Sequence, residues 1–132
     1  MVELLYKQES YRIRGSCFEL YKELGCGHKE VVYQRGLIEK LKRKELSLET
    51  EKHLPVIVEG KRVGIYVPDI VANGSIMIEV KAKAYITQQD IRQFWQYLRS
   101  TPYKLGFLVN FGRPGGVQII RKVYDTARNT SA

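Results

Sequence analysis

The sequence contains few cysteines and no long apolar run. Its two cysteines, Cys17 and Cys26, have the spacing of neither a CxxC redox motif nor a zinc site. No stretch of about 18 apolar residues occurs, so the sequence predicts no transmembrane helix. The N-terminal residues also lack the apolar run of a signal peptide. We therefore expect a cytoplasmic protein that makes no membrane contact and keeps both cysteines reduced.

Acidic residues are scarce relative to basic ones, with 14 Asp and Glu against 22 Lys and Arg, a net charge of +8. A small domain with this charge is a candidate for a polyanionic partner, nucleic acid before membrane. The alternative is a basic surface that serves only solubility. The 44% hydrophobic and 27% charged content is typical of globular proteins, and we expect residues 1–132 to form a single domain.

Apolar periodicity predicts two helices in the first third of the chain. Residues 11–24 carry one apolar stripe, and the glycines at 25 and 27 end that helix. A second helix is predicted over residues 29–44, with a buried face of Tyr33, Leu37 and Leu41. Glu30 falls on the same face, which suggests that it serves a site, although the helix dipole alone also favours an acid there.

The remaining chain predicts strands and one further helix. Residues 46–58 and 62–71 read as a hairpin, residues 75–82 follow the Asn73-Gly74 turn, and Thr87 with Asp90 predicts the capped start of a helix. Residues 104–111 and 117–123 are the last strands, and residues 126–132 are expected to fray. The predicted order is α-α-β-β-β-α-β-β, an α/β fold with a mixed sheet and one βαβ crossover.

Three charged residues interrupt the apolar strands in the middle of the chain. Asp69, Glu79 and Lys81 lie within Ile- and Val-rich segments, where charges are costly unless they are paired or bind a metal. Two carboxylates beside an ammonium group suit a site that holds Mg²⁺ and a water molecule next to a phosphate. The alternative is a buried ion-pair cluster without function, which is a poor device for stability.

The turn between the two strands decides whether the acids can meet. A two-residue turn at Asn73-Gly74 would place Asp69 opposite Ile78, with Asp69 and Glu79 on opposite faces of the hairpin. A three-residue loop over residues 72–74 would place Asp69 opposite Met77 and bring both acids to one face. A shared metal site therefore requires the bulged turn or an equivalent irregularity near Pro68.

These motifs together resemble those of a known superfamily. Pro68-Asp69, then Glu79-Val80-Lys81, preceded by a helix with Glu30, resemble the PD-(D/E)xK nucleases of the restriction-endonuclease-like fold. The segment from Gly27 to Tyr33 matches the name motif of the GxxExxY proteins. Gln93 and Tyr97 resemble the QxxxY motif of the RecB-like exonuclease branch, and residues 109–112 resemble the family's strand that ends in Asn-Phe-Gly.

The resemblance implies a role for each candidate residue. Asp69 and Glu79 would bind Mg²⁺, or Mn²⁺ as a substitute, and the Val80 carbonyl would add an oxygen. Lys81 would orient or deprotonate the attacking water, and Glu30 would hold a metal-bound water or a second metal. Spacing alone predicts an exposed polar face for Gln93 and Tyr97, whereas the resemblance implies that they position Lys81 or the phosphate.

The function implied is a Mg²⁺-dependent nuclease that acts on nucleic acid, on DNA rather than RNA. The small chain leaves little room for a separate recognition domain, so we expect structure-selective or non-specific cleavage. One alternative is a non-catalytic nucleic-acid-binding module, and another is a nuclease-fold subunit of a larger complex. A homodimer is compatible with the sequence, although no feature indicates one.

Overall fold

Three helices and seven strands are formed by residues 6–125, the part of the chain that this computed structural model describes. The helices are α1 (Lys7–Leu24), α2 (Glu30–Lys42) and α3 (Gln88–Arg99). The strands are β1 (Leu48–Glu49), β2 (Leu54–Val58), β3 (Lys61–Tyr66), β4 (Ile70–Ala72), β5 (Ile76–Lys81), β6 (Leu105–Asn110) and β7 (Gln118–Val123). The expectation of a frayed tail at 126–132 lies outside the described residues.

A five-stranded mixed sheet in the order β1-β4-β5-β6-β7 is flanked by the helices. Strands β5 and β6 are parallel and joined through α3, whereas the other neighbours in the sheet are antiparallel. This arrangement confirms the mixed α/β prediction. Because β5 and β6 are central, they are covered on both faces, and every residue of β6 is buried.

The two long strands predicted before the Asn73-Gly74 turn are each broken in two. Residues 46–58 divide into β1 and β2, with Glu51 between them in the left-handed region at φ 59°. Residues 62–71 divide into β3 and β4 at Pro68, which has no N–H for a strand ladder. As a result β2 and β3 form a separate two-stranded sheet, and five strands rather than three lie between α2 and α3.

The two faces of the central sheet have different neighbours. Ile76, Ile78 and Val80 of β5 pack with the buried stripes of α1 and α2. Met77, between them on the opposite face, packs with Phe94 and Leu98 of α3. Since side chains alternate along a strand, Glu79 and Lys81 share the α3 face with Met77.

Helix α3 lies close to the sheet and begins as predicted. The Thr87 side chain accepts a hydrogen bond from the Asp90 N–H, and Asp90 accepts one from the Thr87 N–H, so the predicted capping box is present. A Cβ at Gly106 would come within 2.7 Å of Phe94 Cζ, so only glycine lets the helix approach β6 this closely. The helix therefore holds its second face, with Gln93 and Tyr97, beside β5.

Candidate active site

The turn between β4 and β5 brings the two acids to one face of the hairpin. Ala72 pairs with Ile76 and Ile70 with Ile78, so the three residues 73–75 form the loop. The loop predicted over residues 72–74 was therefore misplaced by one residue. The ladder ends at the pair Ile70 and Ile78, so Asp69 comes just before it, next to Glu79 rather than Met77. Hydrogen bonds then bring the two acids together, as a metal site requires.

The turn adopts this register because of Asn73. Asn73 and Gly74 are both left-handed, at φ 52° and 61°, and the Ser75 N–H binds the Ala72 carbonyl at 3.0 Å. Asn73 also donates its N–H to the Ser47 carbonyl at 2.7 Å and accepts the Ser47 N–H on Oδ1 at 2.8 Å. These bonds hold Ala72 in β4, against β1, and move the loop one residue later.

Backbone hydrogen bonds interlock the two carboxylates. The Asp69 N–H donates to Glu79 Oε1 at 3.1 Å, and the Val80 N–H donates to Asp69 Oδ2 at 2.8 Å. The N–H and C=O of one strand residue point the same way, so the Val80 carbonyl is also on the Asp69 side. The structure thus brings together Asp69, Glu79 and the Val80 main chain where Pro68 interrupts the neighbouring strand.

An aromatic pair connects Glu79 to helix α3. The Tyr66 hydroxyl donates to Glu79 Oε1 at 2.6 Å, and its ring stacks on Tyr97 with 3.9 Å between centroids and an angle of 17°. The Gln93 side-chain amide donates to the Tyr97 hydroxyl at 3.2 Å. Gln93 is exposed, as its spacing alone predicted, but Tyr97 is half-buried.

Glu79, Lys81, Gln93 and Tyr97 line one small crevice between β5 and α3. The crevice combines a carboxylate, which suits a metal ion, with an ammonium group, an amide and a phenol, which suit a phosphate. Asp90 also borders it and binds the Lys83 ammonium at 2.5 Å. This bond and the hydrogen bond from the Thr87 N–H lower the pKa of Asp90 to about 2. The Asp90 carboxylate is therefore already paired, with Lys83 and with the start of α3.

The acids repel each other in a partly dry environment. Burial raises the pKa of Glu79 to about 7, and the charge of Asp69 adds to the rise, against the Tyr66 hydrogen bond. Burial also raises the pKa of Asp69, whereas the Val80 N–H and the Lys81 ammonium lower it. Two acids with raised pKa values beside one lysine form the kind of cluster that marks functional sites.

Glu30 lies at the edge of this cluster. Tyr33, Leu37 and Leu41 are buried as predicted, but Glu30 is exposed, which corrects the expectation that it faces the core. It is the first residue of α2, beyond the part of the helix that packs on the sheet. Partial burial and the charge of Asp69 still raise the pKa of Glu30, whereas the charge of Lys81 lowers it. The Glu30 carboxylate therefore interacts electrostatically with both residues.

Gln34 connects Glu30 to the acids and was missed by sequence reasoning. Its amide donates to Glu30 Oε2 at 3.2 Å, and a hydrogen bond from the same side chain lowers the pKa of Asp69. Gln34 is one helical turn after Glu30, which was the available signal. Tyr66 was missed as well, because it lies before Pro68 and belongs to none of the motifs recognised in the sequence.

The donor set fits a hard divalent cation held by two carboxylates. Both hydrogen bonds that Glu79 receives from described residues end on Oε1, which leaves Oε2 available to a cation. A cation would also offset the repulsion from Asp69 that contributes to the raised pKa of Glu79. Within residues 6–125 no group of three or more His, Cys, Asp or Glu side chains converges.

Two further motifs hold the site in place. Buried Asn110, at the end of β6, accepts the N–H groups of Lys83 (2.9 Å) and Gly112 (3.1 Å) on Oδ1 and donates to the Lys83 carbonyl at 3.0 Å. These bonds fix the chain two residues after Lys81. Next to Asn110, Phe111 stacks on Tyr33, with 4.8 Å between centroids and an angle of 5°.

Tyr33 in turn fixes the loop that leads to Glu30. Its hydroxyl donates to the Gly25 carbonyl at 2.5 Å and accepts the His28 N–H at 3.2 Å. Gly27, with φ 111°, adopts a backbone conformation that side chains disfavour. Gly27 and Tyr33, which flank Glu30 in the sequence, therefore shape the start of α2. Their presence has a structural explanation that does not require a catalytic role.

The mixed sheet flanked by helices, with Asp, Glu and Lys at its break, is consistent with a restriction-endonuclease-like fold. The model of the PD-(D/E)XK nuclease superfamily matches residues 7–123, and the chain belongs to this superfamily. Its nucleases typically use divalent metal ions. No helix among the described residues has the length and apolar character needed to cross a membrane.

One solved structure is similar to the chain. The crystal structure of SSO0001 has 24% sequence identity and a TM-score of 0.49, over 74% of this chain. The match covers 52% of that protein, so the present chain spans about half of its length. No curated protein matches the chain.

Proposed function

We propose that the protein is a Mg²⁺-dependent nuclease that hydrolyses phosphodiester bonds in DNA, with structure-selective or non-specific cleavage. The observation that carries this proposal is the interlocked pair of Asp69 and Glu79 on the same sheet face as Lys81. Superfamily membership supports it. The Gly27-to-Tyr33 segment further supports placement with the GxxExxY proteins.

Each residue of the site has a proposed role. Asp69, Glu79 and the Val80 carbonyl would hold Mg²⁺, which supplies Lewis-acid stabilisation of the phosphate and a more acidic water when bound. Lys81 orients the attacking water and stabilises charge on the phosphate. Glu30, at the exposed edge, would hold a water molecule beside the cation, and Gln34 donates a hydrogen bond to its carboxylate. Gln93 and Tyr97 position the phosphate next to Lys81.

The alternative functions lack a specific observation in their favour. A module that only binds nucleic acid gains nothing from two acids close to the phosphate, because they repel it. A functionless ion-pair cluster would leave the acids fully paired, whereas the pKa of Glu79 is raised to about 7 despite Lys81. A larger complex or a homodimer is compatible with the nuclease proposal.

The direct test is incubation with supercoiled plasmid, linear duplex DNA, single-stranded DNA and RNA. Each substrate is incubated with Mg²⁺, with Mn²⁺ and with EDTA. We expect cleavage of DNA with either metal and none with EDTA. Products from supercoiled and linear plasmid distinguish endonuclease from exonuclease activity. Absence of cleavage of every substrate with both metals would contradict the proposal.

Nucleic-acid binding should weaken steeply with salt. If about four phosphates are neutralised, affinity for duplex DNA falls about 10²-fold between 50 and 200 mM salt, because condensed counterions are released. The measurement is fluorescence anisotropy of a labelled duplex in EDTA, which prevents cleavage. Affinity that does not change over this range would mean that the net charge of +8 serves only solubility.

Mg²⁺ should raise the melting temperature more at pH 8 than at pH 5.5. Because the pKa of Glu79 is raised to about 7 in the metal-free protein, a proton competes with the cation at the lower pH. The raised pKa stabilises the metal-free fold at low pH, and this stabilisation is lost as the pH rises through 7. Thermal unfolding with and without Mg²⁺ measures both effects.

The Glu79→Gln variant is the control for this pH dependence. It removes the titrating group and keeps the shape of the side chain, so the Mg²⁺ effect should become small at both pH values. Equal stabilisation of the unmodified protein at pH 5.5 and pH 8 would contradict the assignment of Glu79 as a metal ligand.

A further inference from the structure

Helix α1 presents alternating cations and aromatic rings on its outward face. The positions 7, 11, 14, 18 and 22 recur every three or four residues, so they lie on one side of the helix, opposite the buried stripe that contains Ile13, Cys17 and Leu20. We call these five residues the outer stripe: Lys7, Tyr11, Arg14, Phe18 and Lys22. Tyr11 is 80% exposed and Phe18 is 52% exposed, so both rings are accessible.

The outer stripe contains no acid. Two of the three acids of α1 lie to the side of it and pair with lysines near the end of α2: Glu19 pairs with Lys44 at 2.8 Å, and Glu23 pairs with Lys40. These ion pairs offset the negative charge beside the stripe. Within the stripe, the Arg14 guanidinium lies 5.9 Å from the centre of the Phe18 ring. The face therefore combines positive charge with flat rings.

A groove adjoins the N-terminal half of the stripe. It has a volume of about 560 Å³, and Lys7, Tyr11 and Arg14 of the stripe line it together with Ser10. The two cations and the ring of the stripe that line the groove continue the combination of charge and aromatic surface.

The alternation of cations and aromatic rings indicates which kind of molecule the outer stripe binds. A membrane-bound helix needs a continuous apolar face, which here is interrupted by a cation at every turn. Single-stranded nucleic acid has flat bases that stack on aromatic rings and phosphates that pair with cations, and proteins bind it with this combination. In duplex DNA the base faces are already stacked on one another, so the two exposed rings favour a single strand.

We propose that the outer stripe binds a single-stranded segment of nucleic acid, with bases on Tyr11 and Phe18 and phosphates at the three cations. The stripe spans about 22 Å, and its Lys22 end is followed by the short loop to Glu30, at the edge of the candidate active site. The choice of nucleic acid as partner rests on the proposed nuclease function, but binding by the stripe requires no catalysis.

The test measures anisotropy of a labelled 20-residue oligothymidine in EDTA. We expect the double variant Tyr11→Ala/Phe18→Ala to bind about 30-fold more weakly, the value for two lost base stacks. The matched control is Tyr85→Ala, which removes a ring that is 68% exposed outside the stripe and should change affinity less than about twofold. A second pair compares Lys7→Gln/Lys22→Gln with Lys61→Gln/Arg62→Gln, and only the first should weaken binding strongly.

Circular dichroism should show unchanged helix content, since all the substituted side chains are exposed. Unchanged affinity in the Tyr11→Ala/Phe18→Ala variant would overturn the proposal, as would an equal loss in Tyr85→Ala. Competition by polyglutamate as effective as that by unlabelled oligothymidine would also overturn it, because it would show that charge alone binds. If the stripe variants lose affinity but the protein cleaves no substrate, the stripe stands and the nuclease proposal fails.

Discussion

Asp69→Ala and Glu79→Ala should each reduce Mg²⁺-dependent DNA cleavage by at least about 10³-fold while the protein remains folded. A bound metal stabilises the transition state by several kcal/mol, and about 1.4 kcal/mol corresponds to a tenfold change in rate. Removal of Asp69 also relieves the repulsion that contributes to the raised pKa of Glu79. The measurement is initial cleavage rate on the preferred plasmid substrate, with circular dichroism and thermal unfolding of each variant.

Lys81→Ala distinguishes loss of chemistry from loss of metal. We expect cleavage to fall strongly, whereas stabilisation by Mg²⁺ persists, because the ammonium group is not a metal ligand. The matched control for the two acids is Glu39→Ala, which removes an exposed carboxylate of α2 that pairs with Lys42 at 3.5 Å. Full activity in the Asp69→Ala or Glu79→Ala variant, or equal loss in Glu39→Ala, would remove these acids from the proposed mechanism.

Gly112→Ala should lower the free energy of unfolding by about 3 kcal/mol. A Cβ at this position would lie 2.5 Å from the Ala82 carbonyl carbon and still closer to the main chain of Lys83. The obstructing atoms are backbone, so they cannot move aside as the end of a flexible side chain could. The same displacement would disturb the bonds from Asn110 that hold the chain just after Lys81.

Gly15→Ala is the matched control for this substitution. Gly15 lies in the middle of α1, and a Cβ there meets nothing within 4 Å. Alanine should stabilise the helix by about 0.5–1 kcal/mol, because glycine loses more backbone conformational entropy on folding. Denaturant unfolding of both variants provides the comparison. A Gly112→Ala protein as stable as the unmodified one would contradict the close packing described at the end of β6.

Local patterns made much of this fold predictable from sequence. The stripe on α2 and the capping box at Thr87 depend on neighbours a few residues apart, and both are present in the structure. The breaks in the long strands were less accessible. Pro68 is visible in the sequence, but the break near Glu51 depends on a backbone conformation that glutamate seldom adopts.

The geometry of the candidate site required contacts that the sequence does not display. The turn register depends on bonds between Asn73 and Ser47, 26 residues apart. Tyr66 and Gln34 contact the acids only after the chain has folded, and neither belonged to a recognised motif. Glu30 was placed on the correct helix, but its exposure depends on where α2 extends beyond the sheet.

The three-residue loop between β4 and β5 can change in length without separating the two acids. Deletion of Ser75 would leave Asn73 and Gly74 as a two-residue turn, with Ala72 still paired with Ile76. The acids would move to opposite faces only if β4 slipped by one residue along β5. Such a slip would also turn the buried side chains of Ile70 and Ala72 to the other side of the sheet. Relatives that retain the two acids should therefore keep the apolar pattern of β4 and β5, whereas the length of this loop is free to vary.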